Sequence, residues 1–465
     1  MIAFLLNRIP GFIETRFFLL FYLLCKIRFR YYNVKQIKEY QLLRSRELSI
    51  YVFANSRFFR RLYSDSDLND PSSLPLVNKR MMMENLTDYN TVGLTKEEIM
   101  EFCLDVYSKS NFNKRLKGLN VGLSSGTSGN KGVEIVTPVE ERYMKAALFA
   151  RFDLPGGEKL NLAFILRVTS PSFSINSFGH KLTWISQLSD IETIRKSLEE
   201  IGPNVISAPP SMLKIIAGEV EAGRVSVKPS RIVSYAEVLH PDVKDYISRV
   251  FNCPVHEIYK CTEGPIAISC RHGSLHINED LVDVETLDAD GSVTTPGNPC
   301  HKMIITDLHK RSQPVIRYEL NDIITISPHP CSCGSSFRVI ERIQGRADDI
   351  FWGRIALTGE WQYIFPDYIS RAVITSSDEI DEFQVIQDSP SLVRVILKIR
   401  NVTDLSPDIE ASVKKNIAGV FEKYNCILPD VIAIPGNPVP NLNSSKLIRI
   451  FRNFNPVDYD RTQEN

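Results

Sequence analysis

The segment "LTKEEIMEFCLDVYS" sets apolar residues at Ile99, Phe102 and Val106, the spacing of one amphipathic helix face, with Thr95 as its start signal. Leu-, Arg- and Glu-rich stretches of this kind fill residues 1–118, which read as a mostly helical lead-in. From Val121 the pattern changes. Short β-rich runs ("LNLAFILRV", "PNVISAP", "SRIVSYAEV", "PVHEIYK") alternate with helical ones ("PSMLKIIAGEVEAG", "PDVKDYISRVFN"), which predicts an α/β sheet with parallel neighbours. "LHINEDLVDVETLDADGSVTTPG" predicts antiparallel strands around a turn at Asp290-Gly291, and beyond "IERIQGRADDIFWG" the pattern is that of a compact α+β unit. The expected organisation is a large α/β N-terminal domain over 1–344, a hinge at 345–349 and a small, mobile α+β C-terminal domain over 350–465.

A chain of 465 residues calls for two or three domains. Its 55 basic and 55 acidic side chains cancel, so the basic excess of a nucleic-acid binder is absent and no nucleic-acid partner is expected. Nine cysteines, an odd number spread thinly, do not form a disulfide framework; they suit a reducing cytoplasm. Near the N-terminus, "RFFLLFYLLCKIRFRYY" has an apolar run from Phe17 to Cys25 that is far short of the roughly 20 residues needed to span a bilayer. It meets Lys26, Arg28 and Arg30 where a secretory signal would have small residues. Two readings stay open: a helix packed on its own domain, or a basic, aromatic helix lying on a membrane surface, which would make the protein peripheral to the inner membrane.

The chemistry concentrates in "GLSSGTSGNKG". Residues 122–132 hold four glycines, four hydroxyl side chains and one lysine. Glycine lets a ligand approach the main chain, and hydroxyls with a lysine suit phosphate. The spacing is neither a Walker loop nor a dinucleotide fingerprint. The flanks "GVEIVT" and "TPVEERYMKAALFARF" predict a strand and then a helix, with Thr137 as N-cap, Pro138 at its first position and Glu140 closing a capping box. The glycine loop is therefore expected to join two strands.

Four further stretches follow in order: "EIYKCTEG" (257–264), "VIRYELND" (315–322), "IQGRADDIF" (343–351) and "NSSKLIRIFR" (443–452). Together with "SSGTSGNKG" they resemble the adenylate-forming superfamily of acyl-CoA synthetases and adenylation domains. "VGLSSGTSGNKG", "YKCTEG" and "LHINED" are similar to its phenylacetate–CoA ligase-like branch, and within it to capsule-biosynthesis-associated proteins. The resemblance covers nearly the whole chain. It implies ATP-dependent activation of a small-molecule carboxylic acid to an acyl-adenylate, then transfer to a thiol, CoA or an acyl carrier. It also implies roles. Ser124, Ser125, Gly126, Thr127, Ser128, Gly129 and Lys131 would hold the β,γ-phosphates. Tyr259 would stack on adenine, Thr262 would bind the α-phosphate and Glu263 would hold Mg²⁺, a hard cation that takes oxygen ligands. Ala236 and Glu237 would lie beside the base, with Ser207–Ser211 near the acyl pocket. Asp322 would accept the ribose hydroxyls, Arg346 would reach ribose and phosphate, Asp348 would be the hinge, and Lys446 would bridge the carboxylate and the α-phosphate. Lys260 and Ser445 stand where the family pattern has glycine.

"CRHGSLHI" brings Cys270, His272 and His276, and Cys331-x-Cys333-Gly334 follows downstream. Three thiolates and one of the two histidines would make a closed tetrahedral Zn²⁺ site of structural kind; free thiols with surface histidines are the other reading. Two further functions remain beside the CoA ligase: an enzyme that hands its acyl group to a carrier protein or an amine, and a catalytically silent scaffold or membrane-associated binding protein.

Overall fold

The computed structural model describes the chain except for residues 1–10, 109–110, 124–131, 152–157, 167–175, 178, 347–350, 365, 378, 401–403, 440–447, 455, 457–458 and 460–465. The backbone divides into a large unit, most of residues 1–342, and a small one built chiefly on 343–465.

In the large unit the helical lead-in comprises α1 (Gly11–Tyr31), α2 (Val34–Asn55), α3 (Arg57–Leu62), α4 (Lys79–Glu84), α5 (Leu86–Tyr89) and α6 (Lys96–Ser108). Helix α6 starts as its sequence predicts: the Glu98 N–H donates to the Thr95 hydroxyl (3.2 Å) and the Thr95 N–H to the Glu98 carboxylate (3.0 Å), a reciprocal cap. Strands β1 (Asn120–Leu123) and β2 (Val133–Val136) pair antiparallel on either side of the glycine loop. Helix α7 (Pro138–Arg151) follows, capped by Thr137 and Glu140 as expected.

The main sheet carries β3 (Asn161–Leu166), β4 (Asn176–Ser177), β5 (His180–Ser186), β6 (Val205–Ala208), β7 (Arg231–Tyr235) and β8 (Val255–Lys260). It continues through β9 (Pro265–Ser269) and β10 (Leu275–Ile277) to β14 (Asp322–Ile326) and β15 (Val339–Arg346), in the order β14-β15-β10-β9-β8-β7-β6-β3-β5-β4. The run β5-β3-β6-β7-β8 is parallel. Its crossovers include α8 (Ile191–Ile201), α9 (Pro210–Glu221) and α10 (Pro241–Phe251), whose apolar sides share one core with Ile206, Ile232 and Val255. This is the α/β arrangement that the strand–helix alternation predicts.

The pattern is corrected in one place. The Asp290-Gly291 turn closes only a short bridge, Leu287 to Val293. Strand β11 (Val282–Leu287) instead pairs along its length with β12 (Lys302–Asp307), which also carries β13 (Tyr318–Leu320), while β10 belongs to the main sheet. Alternation marks a strand's faces, and the choice of partner is left to long-range packing.

The small unit is α+β. Strands β16 (Phe351–Arg354) and β17 (Trp361–Ile364) form a hairpin, and β18 (Ile380–Ser389), β19 (Leu392–Ile399), β20 (Asp430–Pro435) and β21 (Ile450–Arg452) form a four-stranded sheet ordered β20-β19-β18-β21. Helices α11 (Pro366–Ile374) and α12 (Pro407–Lys423) cover it, burying Val373, Val413, Ile417 and Phe421 against Val385 and Val395.

Candidate active site and metal centre

Parallel sheets bind ligands outside the carboxyl ends of their strands. Three strands end together here. β6 leads through Pro209 into α9. β7 ends at Tyr235 and is followed by Ala236, a non-glycine residue at φ 72°. That left-handed backbone is costly for a residue with a Cβ and marks a constrained turn. Glu237 then accepts hydrogen bonds from the Ser211 N–H (3.2 Å) and hydroxyl (3.1 Å), tying the end of β7 to the start of α9. The predicted Ser207–Ser211 and Ala236–Glu237 stretches are thus neighbours.

Strand β8 ends in the Tyr259–Gly264 turn. The register slips between Tyr259 and Lys260, a bulge that redirects the chain. The Tyr259 hydroxyl meets the Met303 sulfur at 3.8 Å. Lys260 reaches Glu134 of β2 at 3.1 Å. Burial works to lower the Lys260 ammonium, but Glu134 and Tyr235 together with Cys261 outweigh it and hold the pKa above the ordinary lysine value. The Thr262 carbonyl accepts from the buried Lys310 ammonium (3.3 Å). The backbone N–H groups of His309 and Lys310 both donate to Asp307 at 2.9 Å. Burial raises the Asp307 carboxyl to about 6. Its other oxygen lies where a side chain at position 264 would put Cβ, 2.9 Å away, so only glycine fits there without movement. Burial, with the charge of the nearby Glu263 carboxylate, raises the Tyr318 pKa. Glu134, Tyr143, Gly264, Pro265, Asp307 and Lys310 line part of a cleft beside this turn.

Sequence reasoning missed Glu134, Asp307, Lys310 and Tyr318. Tyr318 was within reach, since it stands inside "VIRYELND"; the others lie outside the quoted motifs or act across more than forty positions. Asp322 opens β14 and is half-buried, and Arg346 is the last residue of β15. Ser124, Ser125, Gly126, Thr127, Ser128, Gly129, Lys131, Asp348 and Lys446 lie outside the described residues.

A second cluster forms where the β9–β10 hairpin meets the loop before β15. Donor atoms of Cys270, His276, Cys331 and Cys333 all lie within 4.8 Å of one another. Cys270 and Cys331 sulfurs are 3.7 Å apart, and the Cys333 sulfur is 3.4 Å from His276 Nε2. His276 Nδ1 faces the Phe337 carbonyl at 2.9 Å, which fixes the tautomer that leaves Nε2 free to ligate. Burial lowers the His276 pKa and so favours the neutral ring. Backbone N–H groups of Cys333 and Ser335 point at the Cys331 and Cys333 sulfurs (3.4 and 3.5 Å), and Gly334 at φ 85° makes the tight turn between them. Burial raises Cys270, and raises Cys333 up to about 12. Burial also opposes ionisation of Cys331, yet hydrogen bonds led by Ser274 bring it below the ordinary thiol value. Three sulfurs and one imidazole converging in this way match the donor set of a closed tetrahedral site. His272 stands outside the cluster: its ring faces Arg271 (3.0 Å) and Ser332 (3.4 Å).

No family model matches the chain. Two curated proteins are similar along most of their length. Protein CapK of Staphylococcus aureus is 23% identical over 80% of this chain and 82% of its own. Phenylacetate-coenzyme A ligase of Thermus thermophilus is 23% identical over 76% and 78%. Among known structures, 2-hydroxyisobutyryl-CoA ligase in the postadenylation state, in complex with R3-HIB-AMP, superposes with a TM-score of 0.70 at 15% identity, covering 94% of this chain and 93% of that one. An open conformation of the same ligase with 2-HIB-AMP and CoA gives 0.59 at 16% identity over 89% and 90%. The chain has the fold of these ligases, a large α/β N-terminal domain followed by a smaller C-terminal one.

Proposed function

We propose that the protein is an adenylate-forming ligase of the phenylacetate–CoA ligase-like kind, which activates a carboxylic acid with ATP and passes the acyl group to CoA. The observation that carries this reading is the Tyr259–Gly264 turn at the carboxyl end of β8, where Lys310 holds the Thr262 carbonyl and the Glu263 carboxylate lies near buried Tyr318, at the place a parallel sheet binds its ligand. In the first half-reaction a carboxylate oxygen of the acid attacks the α-phosphorus of ATP and the bond to the β-phosphate bridge breaks, releasing pyrophosphate. Lys131 and the hydroxyls of 124–128 hold the departing phosphates, Thr262 the α-phosphate, Tyr259 the adenine, Asp322 and Arg346 the ribose, and Lys446 draws the two anions together. Positioned cations and hydroxyls carry such a step, because charge grows on the leaving oxygen. Glu263 is the carboxylate suited to Mg²⁺, which when bound would neutralise phosphate charge. In the second half-reaction the CoA sulfur attacks the acyl carbon and AMP leaves. The small unit turns about Asp348 between the two steps.

Cys270, His276, Cys331 and Cys333 hold a structural Zn²⁺, which would pin the β9–β10 hairpin to the loop before β15 and leave no open position for chemistry. Nine cysteines, none in a disulfide, favour a cytoplasmic setting. The resemblance of "VGLSSGTSGNKG", "YKCTEG" and "LHINED" to capsule-biosynthesis-associated proteins favours a role near capsule synthesis. ATP–pyrophosphate exchange across a panel of aryl, fatty and amino acids, with and without CoA, tests the reading. Acid-dependent exchange together with CoA-dependent AMP release supports it. Exchange that turns over only with a carrier protein or an amine moves the acceptor, and no exchange with any acid leaves a silent scaffold.

A further inference from the structure

Helix α1 has two faces, and only one belongs to the protein. The inner face carries Phe18, Phe21, Cys25, Arg28 and Phe29. Cys25 is fully buried and clusters with Phe21, Tyr143, Ala147 and Leu281. The Phe21 and Tyr143 rings are 4.7 Å apart, Arg28 donates to the Tyr143 hydroxyl at 3.0 Å, and Phe29 meets both His276 and Phe337 at 5.3 Å. These contacts fix how the helix is rotated. The face turned outward is therefore defined, and it is apolar: Leu19 is 45% exposed, Leu20 49%, Leu23 52%, Ile27 46% and Tyr31 70%. At 100° per residue these five side chains cover roughly a third of the helix circumference, one continuous stripe rather than scattered positions.

We propose that this outward stripe of α1 docks on the surface of a lipid bilayer bearing anionic headgroups. Five large apolar side chains half in water on one helix face form a contiguous patch of the kind that marks an interaction site. The charge around it selects the occupant. Lys26 and Arg30 are exposed on the same side, interleaved with Leu23 and Ile27. Between residues 11 and 38 there are six bases (Arg16, Lys26, Arg28, Arg30, Lys35, Lys38) and one acid, Glu14, in a chain whose charges cancel overall. A helix with Leu, Ile and Tyr toward the acyl boundary and Lys and Arg at the rim is built to lie in an anionic interface, its long basic side chains reaching up to the headgroups. Self-association is disfavoured by the same residues. A two-fold contact through this stripe would set Lys26 and Arg30 of one copy against those of the other, like charges at close quarters. The contact is in-plane, since among the described residues no helix is long and apolar enough to cross a membrane.

The proposal is independent of the ligase reading, because it rests on a face that no site residue shares. It is tested by flotation of the full chain with vesicles of phosphatidylcholine alone and of phosphatidylcholine containing one-third phosphatidylglycerol. Two bases near an anionic surface should raise recovery with the mixed vesicles on the order of tenfold over the neutral ones at low salt, with the gain falling as salt is added. Leu23→Glu with Ile27→Glu should abolish flotation on both, while near-ultraviolet circular dichroism and ATP–pyrophosphate exchange stay at wild-type levels. Lys26→Glu with Arg30→Glu should erase the preference for anionic vesicles. Wild-type protein left in the unbound fraction with both vesicle types overturns the proposal. So does a concentration-dependent dimer that Leu23→Glu dissolves, since the stripe would then be covered by a second copy.

Discussion

At the residue scale, Lys260 shows how far a sequence can be read. Its departure from the family's glycine is visible at once, but the partner that makes the departure tolerable, Glu134, lies 126 positions away. A half-reading was available, and the other half needed the fold. Lys260→Met should leave Glu134 without its cation and lower stability by about 1–3 kcal/mol; adding Glu134→Gln should recover most of that, because removing both charges removes the uncompensated one. Thermal melts of the three variants decide it, and a double mutant no better than the single would mean that the pair is not the cause. Asp307 carries a pH dependence. Burial raises its carboxyl from 3.8 to about 6, so between those values the folded protein binds more protons than the unfolded chain. Stability from this group is therefore full below about pH 4 and falls as pH rises to about 6, by on the order of 3 kcal/mol. Asp307→Asn keeps an acceptor for the His309 and Lys310 N–H groups and should flatten that slope in urea titrations between pH 4 and 7.

At the element scale the local signals and the parallel run were legible, while the long-range partners of β10 and β11 were not. The caps of α6 and α7 could be read because their donors and acceptors are three residues apart in sequence. The turn at Asp290-Gly291 was read correctly as a turn between antiparallel segments, but their pairing is only the short Leu287–Val293 bridge, since β12 lies beyond it and pairs with β11 along its length. The same limit explains the two histidines. His272 and His276 are equally good ligands on paper; only the pairing of β10 with both β9 and β15 turns His276 toward the cysteines. Protein purified without chelator should hold about one zinc per chain, and Cys331→Ser should lose it and melt on the order of 5–10 °C lower, as metal affinity is coupled to folding. His272→Ala should keep both metal and melting temperature. Full zinc occupancy in Cys331→Ser, or loss in His272→Ala, would put the metal elsewhere.

At the scale of the whole molecule, five short motifs in order carried the expectation of a large and a small unit, because under the proposed function a ligand shared by two half-reactions would draw its contacts from along the chain. What they could not carry is geometry: Glu263 is a cation ligand by resemblance, but the placing of buried Tyr318 near it is an outcome of β13 lying beside β12. The proposed cycle makes opposite demands on two positions. Lys446→Ala removes a charge useful only while the carboxylate attacks phosphorus, so acyl-adenylate formation should fall on the order of 10²–10³-fold while thiolysis of supplied acyl-adenylate persists. Asp348→Pro acts on the turn instead. Proline fixes φ near −65°, and a hinge works by letting a few torsions change widely. With the adenylating arrangement retained, pyrophosphate exchange should survive and transfer to CoA should fail, the reverse of the lysine variant. Single-turnover measurement of each half-reaction in both proteins separates the two roles. Equal loss of both steps in Lys446→Ala would remove it from the first step alone, and unchanged rates in Asp348→Pro would mean that no turn at this position links adenylation to thiol transfer.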